Sequence, residues 1–574
     1  MLDVDTIASK WLTKFDGAAS SGDVSRLLLT ILPNGWLRDA LAFTWDTRSL
    51  EGHDMIASYL SNKLPAACLT NFKLDDQPGL RPQDTPFGIA FGFSFETAIG
   101  RGHGYAHLLT DESTEEPEWK AVAVCLMLED IKGHEESGPE SGVYGGHTLS
   151  WEELRLERRA KIENDPHVII IGGGQSGLNI AARFKQMNIP SIVVEKNGAV
   201  GDQWRMRYPT LTLHTPRNHH ALLYQSYPRN WPSYTPRGKL ADWMQQYAEF
   251  QDLVVWTNST VLPRAAYDTS TKRWNLVVDR DGSEVELHPA HIVVAIGTLG
   301  APRIPEISDR DLFHGEVLHA SAYKGGKPFT GKRVIVVGAG NTAADMCQDL
   351  SFHGASSVTM VQRSSTCVVS SKNIAAQFAT LYPDGMPAEI CDFRCFSLPF
   401  GLQKKVAIAN QDQAWAREKP LHDKLRKGGL KLNMGRDGGG QNLLIFERLG
   451  GVDVGCAELI ESGQVKVKQG VEPKRFTENG LGFTDDTELD ADVIIWATGY
   501  VDPRESLKTI FGDNVIGQTS ELWGLDEEYE IRGSYRSSGY PGLWYGAGGF
   551  DASRFLSKQL ALQIKAIELG LMQN

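Results

Sequence analysis

Two glycine fingerprints, each placed between a short apolar run and a helical stretch, constrain this chain more than any other feature. The first follows His167-Val168-Ile169-Ile170-Ile171 and reads Gly172-Gly173-Gly174-Gln175-Ser176-Gly177. An amphipathic helix over 178–187 and a second apolar run, 191–194, complete a βαβ pattern ending on Glu195. In such a unit Gly172 permits the tight turn, Gly174 lets backbone approach a pyrophosphate, and Gly177 lets the helix pack on the strand. The helix start at Gln175 and Ser176 offers free N–H groups and the positive end of the helix dipole. Glu195, 18 residues past Gly177, is spaced to accept hydrogen bonds from ribose hydroxyls.

The second fingerprint follows residues 332–337 and reads Gly338-Ala339-Gly340-Asn341-Thr342-Ala343, with a helix expected to about Leu350. The next strand, 357–361, runs into Gln362-Arg363-Ser364 and carries no closing acid. An acid there would repel a ribose 2′-phosphate, whereas Arg363, with Ser364 beside it, can hold one bidentately. The second site is therefore expected to prefer NADP(H), and the first a dinucleotide without that phosphate, such as FAD. Asn341 and Thr342 are expected near the nucleotide phosphates, with packing of the helix start as the competing reading.

Composition fits this frame. A chain of 574 residues, 41% hydrophobic and 22% charged, has room for three or four globular domains. A formal net charge of −13 argues against a dedicated nucleic-acid binder. The seven cysteines are scattered, with no CxxC and no zinc or disulfide spacing, which points to a reducing compartment; a cytoplasmic protein without metal is expected. The nearest pair, Cys391 and Cys395, does not suit a dithiol electron acceptor. No run of 18 apolar residues occurs, so no membrane span is expected.

The fold class that follows is α/β, with two Rossmann-like dinucleotide-binding domains preceded by a smaller α+β domain. Residues 1–132 form that first unit, 133–164 a linker and connecting helix, and 165–325 the first part of the FAD domain. Residues 326–485 form the NADPH domain with an insertion, and 486–574 the rest of the FAD domain with a C-terminal helix. In the first unit, helices are expected over 4–16 and 22–32. A half-buried strand is expected over 87–97, where Phe87, Ile89, Phe91, Phe93 and Phe95 alternate with small or polar residues; strands over 102–110 and 119–130 follow. Ser150 and Glu153 have capping-box spacing. Residues 555–569 are expected to form an amphipathic helix docked on the FAD domain, with Lys558, Gln559, Gln563, Lys565 and Glu568 as its polar positions. Two readings stay open for Phe378, Tyr382, Phe393, Phe396, Phe400 and Trp415, near a glycine-rich stretch at 435–440: the wall of a substrate pocket, or plain core packing.

Between the fingerprints, Phe313-His314-Gly315-Glu316-Val317-Leu318-His319-Ala320-Ser321-Ala322-Tyr323 matches every fixed position of the pattern FxGxxxHxxxY/F. Here the chain resembles the class B flavin-dependent monooxygenases. Ala295-Ile296-Gly297-Thr298 and Trp496-Ala497-Thr498-Gly499-Tyr500 agree with the same family, and the resemblance spans about 165–570. Tyr323-Lys324 stands where Baeyer–Villiger members carry Trp and then Pro or Asp. The chain looks instead like the flavin-containing monooxygenase and YUCCA-type branch, as do Trp204, residues 211–216 and residues 548–555. The segment Gly201-Asp202-Gln203-Trp204 departs from the paired glycines common in the class.

The resemblance implies FAD and NADPH as cofactors and O2 and a small organic molecule as substrates. It implies a flavin C4a-(hydro)peroxide that performs N- or S-oxygenation, hydroxylation, or oxidative decarboxylation of a 2-oxo acid. His214 falls where a residue contacting that adduct is found, with a core histidine as the alternative. Gln203, Trp204, Thr498 and Gly499 are implied at the cofactors, and His319 and Tyr323 in nucleotide-domain positioning. The order of elements in the first unit resembles the NTF2-like (SnoaL-like) fold. An NADPH oxidase or quinone-type reductase, and a non-catalytic flavoprotein binding module, remain alternatives; a homodimer is left open.

Overall fold

The computed structural model describes residues 3–113, 117–435 and 450–573. The first unit contains α1 (Val4–Ser21), α2 (Val24–Leu28), β1 (Ile31–Ala40), β2 (Thr47–Glu51), α3 (Gly52–Ala67), β3 (Thr70–Leu74), β4 (Gln83–Thr85), β5 (Gly88–Glu96), β6 (Gly100–Asp111) and β7 (Glu118–Ile131). The strands form one sheet in the order β2-β1-β7-β6-β5-β3, with β4 on β5. The helix expected to reach residue 32 stops at Leu28, and β1 begins at Ile31. Pro33 has no N–H for a helix, and the β1–β7 register shifts between Ile31 and Trp36, where Pro33 and Gly35 lie.

One sheet face receives α1 and α3, so that Trp11, Phe15, Leu60 and Leu64 share a core with Phe91, Phe93 and Phe95. Phe87 precedes β5 and is 59% exposed, contrary to the expected stripe. The opposite face is also covered. Tyr105, Met127 and Leu128 lie in a core with Phe393, Phe396, Phe555 and Leu560 from distant parts of the chain.

After residues 133–150, the predicted capping box closes on both sides, Ser150 and Glu153 exchanging hydrogen bonds at the start of α4 (Trp151–Asn164). The first fingerprint joins β8 (Val168–Ile171) to α5 (Gln175–Gln186), followed by β9 (Ser191–Val194). With β10 (Val255–Trp256), β11 (His291–Val294) and the late strand Leu543–Tyr545 they build a parallel sheet ordered β10-β9-β8-β11 and then the late strand.

The second unit has the same logic. Strands β12 (Glu316–His319), β13 (Arg333–Val337), β14 (Ser357–Gln362), β15 (Cys367–Ser370), β16 (Gly450–Asp453), β17 (Val465–Gln469) and β18 (Val493–Trp496) accompany helix α6 (Asn341–Phe352). Five form a parallel sheet ordered β12-β18-β13-β14-β17, while β15 and β16 pair separately in the insertion. The aromatics of the insertion mostly pack. Phe393 and Phe396, on α7 (Ala388–Ser397), and Phe400 lie in the core beneath the N-terminal sheet. Trp415 packs beside Cys367, Ala414 and Met434. Residues 436–440 of the glycine-rich stretch lie outside the described residues.

The C-terminal helix, α8 (Phe550–Glu568), docks on α5 as expected, but it lacks the expected solvent face. Lys558, Gln559, Gln563 and Lys565 are all buried, because the N-terminal sheet covers the side of α8 away from α5. Lys558 Nζ reaches Glu136 Oε1 at 2.8 Å and Asp130 Oδ1 at 3.3 Å, which compensates its desolvation. A second link is fully buried: Arg38 of β1 donates to Glu530 at 2.7 Å from both Nε and Nη2, and from Nη1 to the Phe396 carbonyl. Among the described residues no helix is long and apolar enough to cross a membrane.

Candidate active site

The first fingerprint has the geometry of a dinucleotide cradle. Gly172 sits at φ +110°, and a Cβ there would stand 2.6 Å from the Ala295 carbonyl oxygen. A Cβ on Gly177 would stand 2.0 Å from the Gly172 carbonyl oxygen, so only glycine lets α5 approach β8. Ser176 is buried under the helix start, while Gly174 and Gln175 are partly open. Glu195 is 5% exposed and already carries donors: Oε2 accepts the Gly173 N–H at 2.7 Å, and Oε1 accepts from the Asn197 backbone and side chain. It thereby fixes the glycine turn, with acceptor capacity left for a ribose.

Beside this cradle, both amide atoms of Gln203 and the indole Nε1 of Trp204 are buried without partners. Gln203 Nε2 lies 3.7 Å from where a Gly174 Cβ would be. Buried polar groups left unpaired are costly, and three of them against an open glycine cradle are the pattern a polar ligand would satisfy. The residues therefore fit FAD.

The second fingerprint repeats the close approach. Gly338 is at φ +133°, with a Cβ position 2.3 Å from the Ala497 carbonyl oxygen, whereas Gly340 faces open space. Asn341 Oδ1 accepts the Val452 N–H at 2.7 Å, so this side chain pins β16 to the start of α6. Thr342 is partly exposed next to it. Arg363 and Ser364 stand exposed just past β14; the Arg363 guanidinium is 72% exposed, 3.5 Å from Glu472. An open glycine and an exposed arginine at the strand end fit NADPH.

The FxGxxxHxxxY segment joins the two units from inside. Phe313 packs into the second core, and a Cβ on Gly315 would strike its ring at 2.3 Å. His319, 5% exposed, puts Nε2 at 3.0 Å from the Gly499 carbonyl oxygen, and its Nδ1 accepts from the Ser321 N–H. Burial lowers the His319 imidazole below its ordinary range against the opposing pull of the Gly499 carbonyl, so it is neutral near pH 7. Thr498 donates its hydroxyl to the Arg303 carbonyl. Tyr323 is 1% exposed and donates to Asp349 Oδ2 at 2.7 Å. These side chains brace the domain junction and do not line the open cleft.

A cleft of about 480 Å³ lies between the two fingerprint units. Its walls come from Tyr208, Thr210, Thr212, Leu213, His214 and Tyr234 on one side and from Asp345, Gln348, Asp349 and Phe352 of α6 on the other; Ser371 and Val454 close it from the insertion. His214 is therefore a cleft residue. Its Nε2 lies 3.4 Å from Asp345 Oδ2, which also accepts the Tyr208 hydroxyl at 2.5 Å. Burial lowers the His214 imidazole, yet the Asp345 carboxylate outweighs it and the balance is raised above the ordinary value. None of the six insertion aromatics lines this cleft. Phe378 and Tyr382 instead pack on His219, whose Nε2 is 3.3 Å from Asp551 at the start of α8. Sequence reasoning passed over Tyr208, Asp345 and Asp349; their only signal was their position one and two turns into the second fingerprint helix, or just before His214.

Residues 165–507 match the family model "Flavin-binding monooxygenase-like". The chain belongs to this family. Among curated relatives, the probable indole-3-pyruvate monooxygenase YUCCA9 of Arabidopsis thaliana is 29% identical over 421 residues, covering 72% of this chain and 89% of the relative. The indole-3-pyruvate monooxygenase YUCCA8 of Oryza sativa subsp. indica is 31% identical over 404 residues, 68% of this chain and 86% of its own. Among solved structures, OTEMO in complex with FAD and NADP shares the fold with a TM-score of 0.51 at 16% identity, covering 71% of this chain and 87% of the other. A cyclohexanone monooxygenase does so with a TM-score of 0.50 at 17% identity, covering 70% and 86%. The flavin-binding monooxygenase-like chain described here is an FAD- and NADPH-dependent monooxygenase with O2 as oxidant. Its family match begins after the N-terminal sheet unit.

Proposed function

We propose that this monooxygenase converts a 2-oxo acid to the carboxylic acid one carbon shorter, with loss of CO2. When bound, NADPH supplies the hydride and FAD passes the electron pair to O2. The balance is 2-oxo acid, O2, NADPH and one proton giving carboxylate, CO2, water and NADP⁺. The observation that carries the reading is His214: among the described residues of the cleft wall it is the one side chain able to carry positive charge. Its raised imidazole suits a substrate carboxylate or carbonyl. The two cleft carboxylates, Asp345 and Asp349, are both engaged by protein groups, which leaves less acceptor capacity for an ammonium substrate. Asp345 accepts from Tyr208 and faces His214, and Asp349 accepts from Tyr323, Thr210 and the Gly326 N–H. Leu213, Phe352 and Val454 give the cleft an apolar side for an organic side chain. The names of the plant relatives support the same substrate class.

In this reading Gly172, Gly174, Gln175, Ser176, Gly177, Glu195, Gln203 and Trp204 hold FAD. Gly338, Gly340, Asn341, Thr342, Arg363 and Ser364 hold NADPH, and Thr498 and Gly499 shape the junction between them. The division at 132, 164, 325 and 485 belongs to the same reading. So does an NTF2-like first unit, supported by its order of two helices, two strands, a helix and an antiparallel run.

The test is turnover with NADPH, ¹⁸O2 and a panel of 2-oxo acids, amines and sulfides. One ¹⁸O in a shortened carboxylate, with CO2 matching NADPH consumed, is the expected result. Oxygenation of amines or sulfides alone overturns the substrate class. Hydrogen peroxide equal to NADPH consumed, with every substrate, supports the oxidase alternative.

A further inference from the structure

The cleft histidine does not stand alone. Tyr208 and His214 belong to the first fingerprint unit, and Asp345 to α6 of the second, so their contacts cross the cleft. Asp345 Oδ2 takes the Tyr208 hydroxyl at 2.5 Å and faces His214 Nε2 at 3.4 Å. Among the described residues His214 Nδ1 has no protein partner, and the ring borders the open cleft. One carboxylate oxygen thus accepts the Tyr208 hydroxyl and stands beside His214 Nε2, both from the opposite domain, and the other ring nitrogen is left available.

We propose that Asp345 is the positioning residue for His214, fixing the ring through Nε2–H so that Nδ1 faces the substrate and, in the imidazolium form, donates to it. This rests on the reading of the cleft as the substrate site. The charged and titratable groups facing His214 are Asp345 and Asp349 from α6, Asp453 from β16, and the phenols Tyr208 and Tyr234. No cation faces it from the described cleft wall. Asp345 is the one that makes an ion-pair contact with it among the described residues, and the 3.4 Å separation tightens to a hydrogen bond with a small rotation of either side chain. Tyr208 restrains that rotation on the carboxylate side. An imidazole that donates one N–H to a carboxylate has a set tautomer: its other nitrogen accepts when the ring is neutral and donates only when the ring is protonated, the arrangement that orients histidines in general acid–base sites.

The measurement is the titration of His214 in the full-length FAD-loaded protein, by NMR of [¹³Cε1]-histidine, with the signal assigned through its loss in His214→Gln. The wild-type signal is expected to titrate above the ordinary imidazole midpoint, about 6.5. In Asp345→Asn, where the amide still accepts from Tyr208, it should move down by at least one pH unit. Asp345→Glu should restore most of the shift. In turnover with a 2-oxo acid at pH 7, Asp345→Asn should raise KM about tenfold with a smaller change in kcat, and the defect should shrink toward pH 6. Flavin content and Tm report whether the variant is folded. An unchanged His214 titration in Asp345→Asn overturns the proposal, as does a wild-type midpoint at or below the ordinary value. A wild-type protein with the shifted histidine and no 2-oxo acid turnover overturns the functional reading and leaves the positioning role standing.

Discussion

Replacing Arg38 by Met tests whether the N-terminal unit and the flavin unit behave as one body. Arg38 and Glu530 are 1% and 2% exposed and 492 residues apart in sequence. The guanidinium makes two charge-assisted hydrogen bonds to the carboxylate and a third to the Phe396 carbonyl; without it, Glu530 keeps only the Ser49 hydroxyl at 2.6 Å. Breaking one partner of a buried pair costs about 3–5 kcal/mol, because the other charge stays buried and uncompensated. At 1.36 kcal/mol per decade this is roughly 10²- to 10⁴-fold in an opening equilibrium. Hydrogen exchange read by mass spectrometry is the assay, since a chain of 574 residues need not unfold in one step. Peptides covering 36–51 and 523–536 should exchange faster by that factor in Arg38→Met, while peptides from β13 and β14 stay unchanged. Arg38→Met with Glu530→Gln should recover most of the loss, because no lone charge remains. Exchange within a factor of five of wild type, or strictly additive losses, would refute the reasoning.

Two further outcomes follow from side chains in different units of the chain. Arg363→Ala should raise KM for NADPH about 10- to 100-fold and leave NADH nearly unchanged, as loss of charge-assisted bonds to a 2′-phosphate predicts; equal effects on both nucleotides count against that role. His107 is partly buried, with its Nε2 inaccessible and unpartnered, and desolvation, with Arg394 adding repulsion, lowers its imidazole to about 4. Its contribution to stability is present above about pH 6.5 and is lost as pH falls toward 4, by roughly 3 kcal/mol. His107→Phe should therefore show a shallower fall of Tm with acid than wild type, and parallel curves would dismiss the effect.

Local patterns carried the parts of the fold that are local. The fingerprint turns were legible because a φ of +110° at Gly172 and contacts of 2.0–2.6 Å at Gly172, Gly177 and Gly338 admit no side chain, so the sequence must show glycine there. The capping box was legible because both partners lie within four residues. What failed depended on distant chain. The polar positions of α8 read as a solvent face because nothing local announces that β7 covers them. Phe393, Phe396 and Phe400 suit a pocket wall or a core equally well, and only the arrival of the N-terminal sheet decides. In the site, His214 was found through a resemblance. Asp345 meets it from residues 131 positions away, a juxtaposition that no spacing rule encodes.

Helix α8 also sets an order of events during synthesis. The hydrogen bond from Lys558 to Asp130 spans 428 residues, so the apolar outer face of the N-terminal sheet leaves the ribosome long before its cover exists. Until residues 550–566 are made, Met127 and Leu128 lack the part of their cover that α8 supplies, leaving apolar surface of the kind that chaperones hold and that drives aggregation. The flavin cradle waits for the same segment, because Asn179 of α5 hydrogen-bonds Ser553. One late helix thus closes two earlier halves at once, and a chain that stalls before it leaves both of them open.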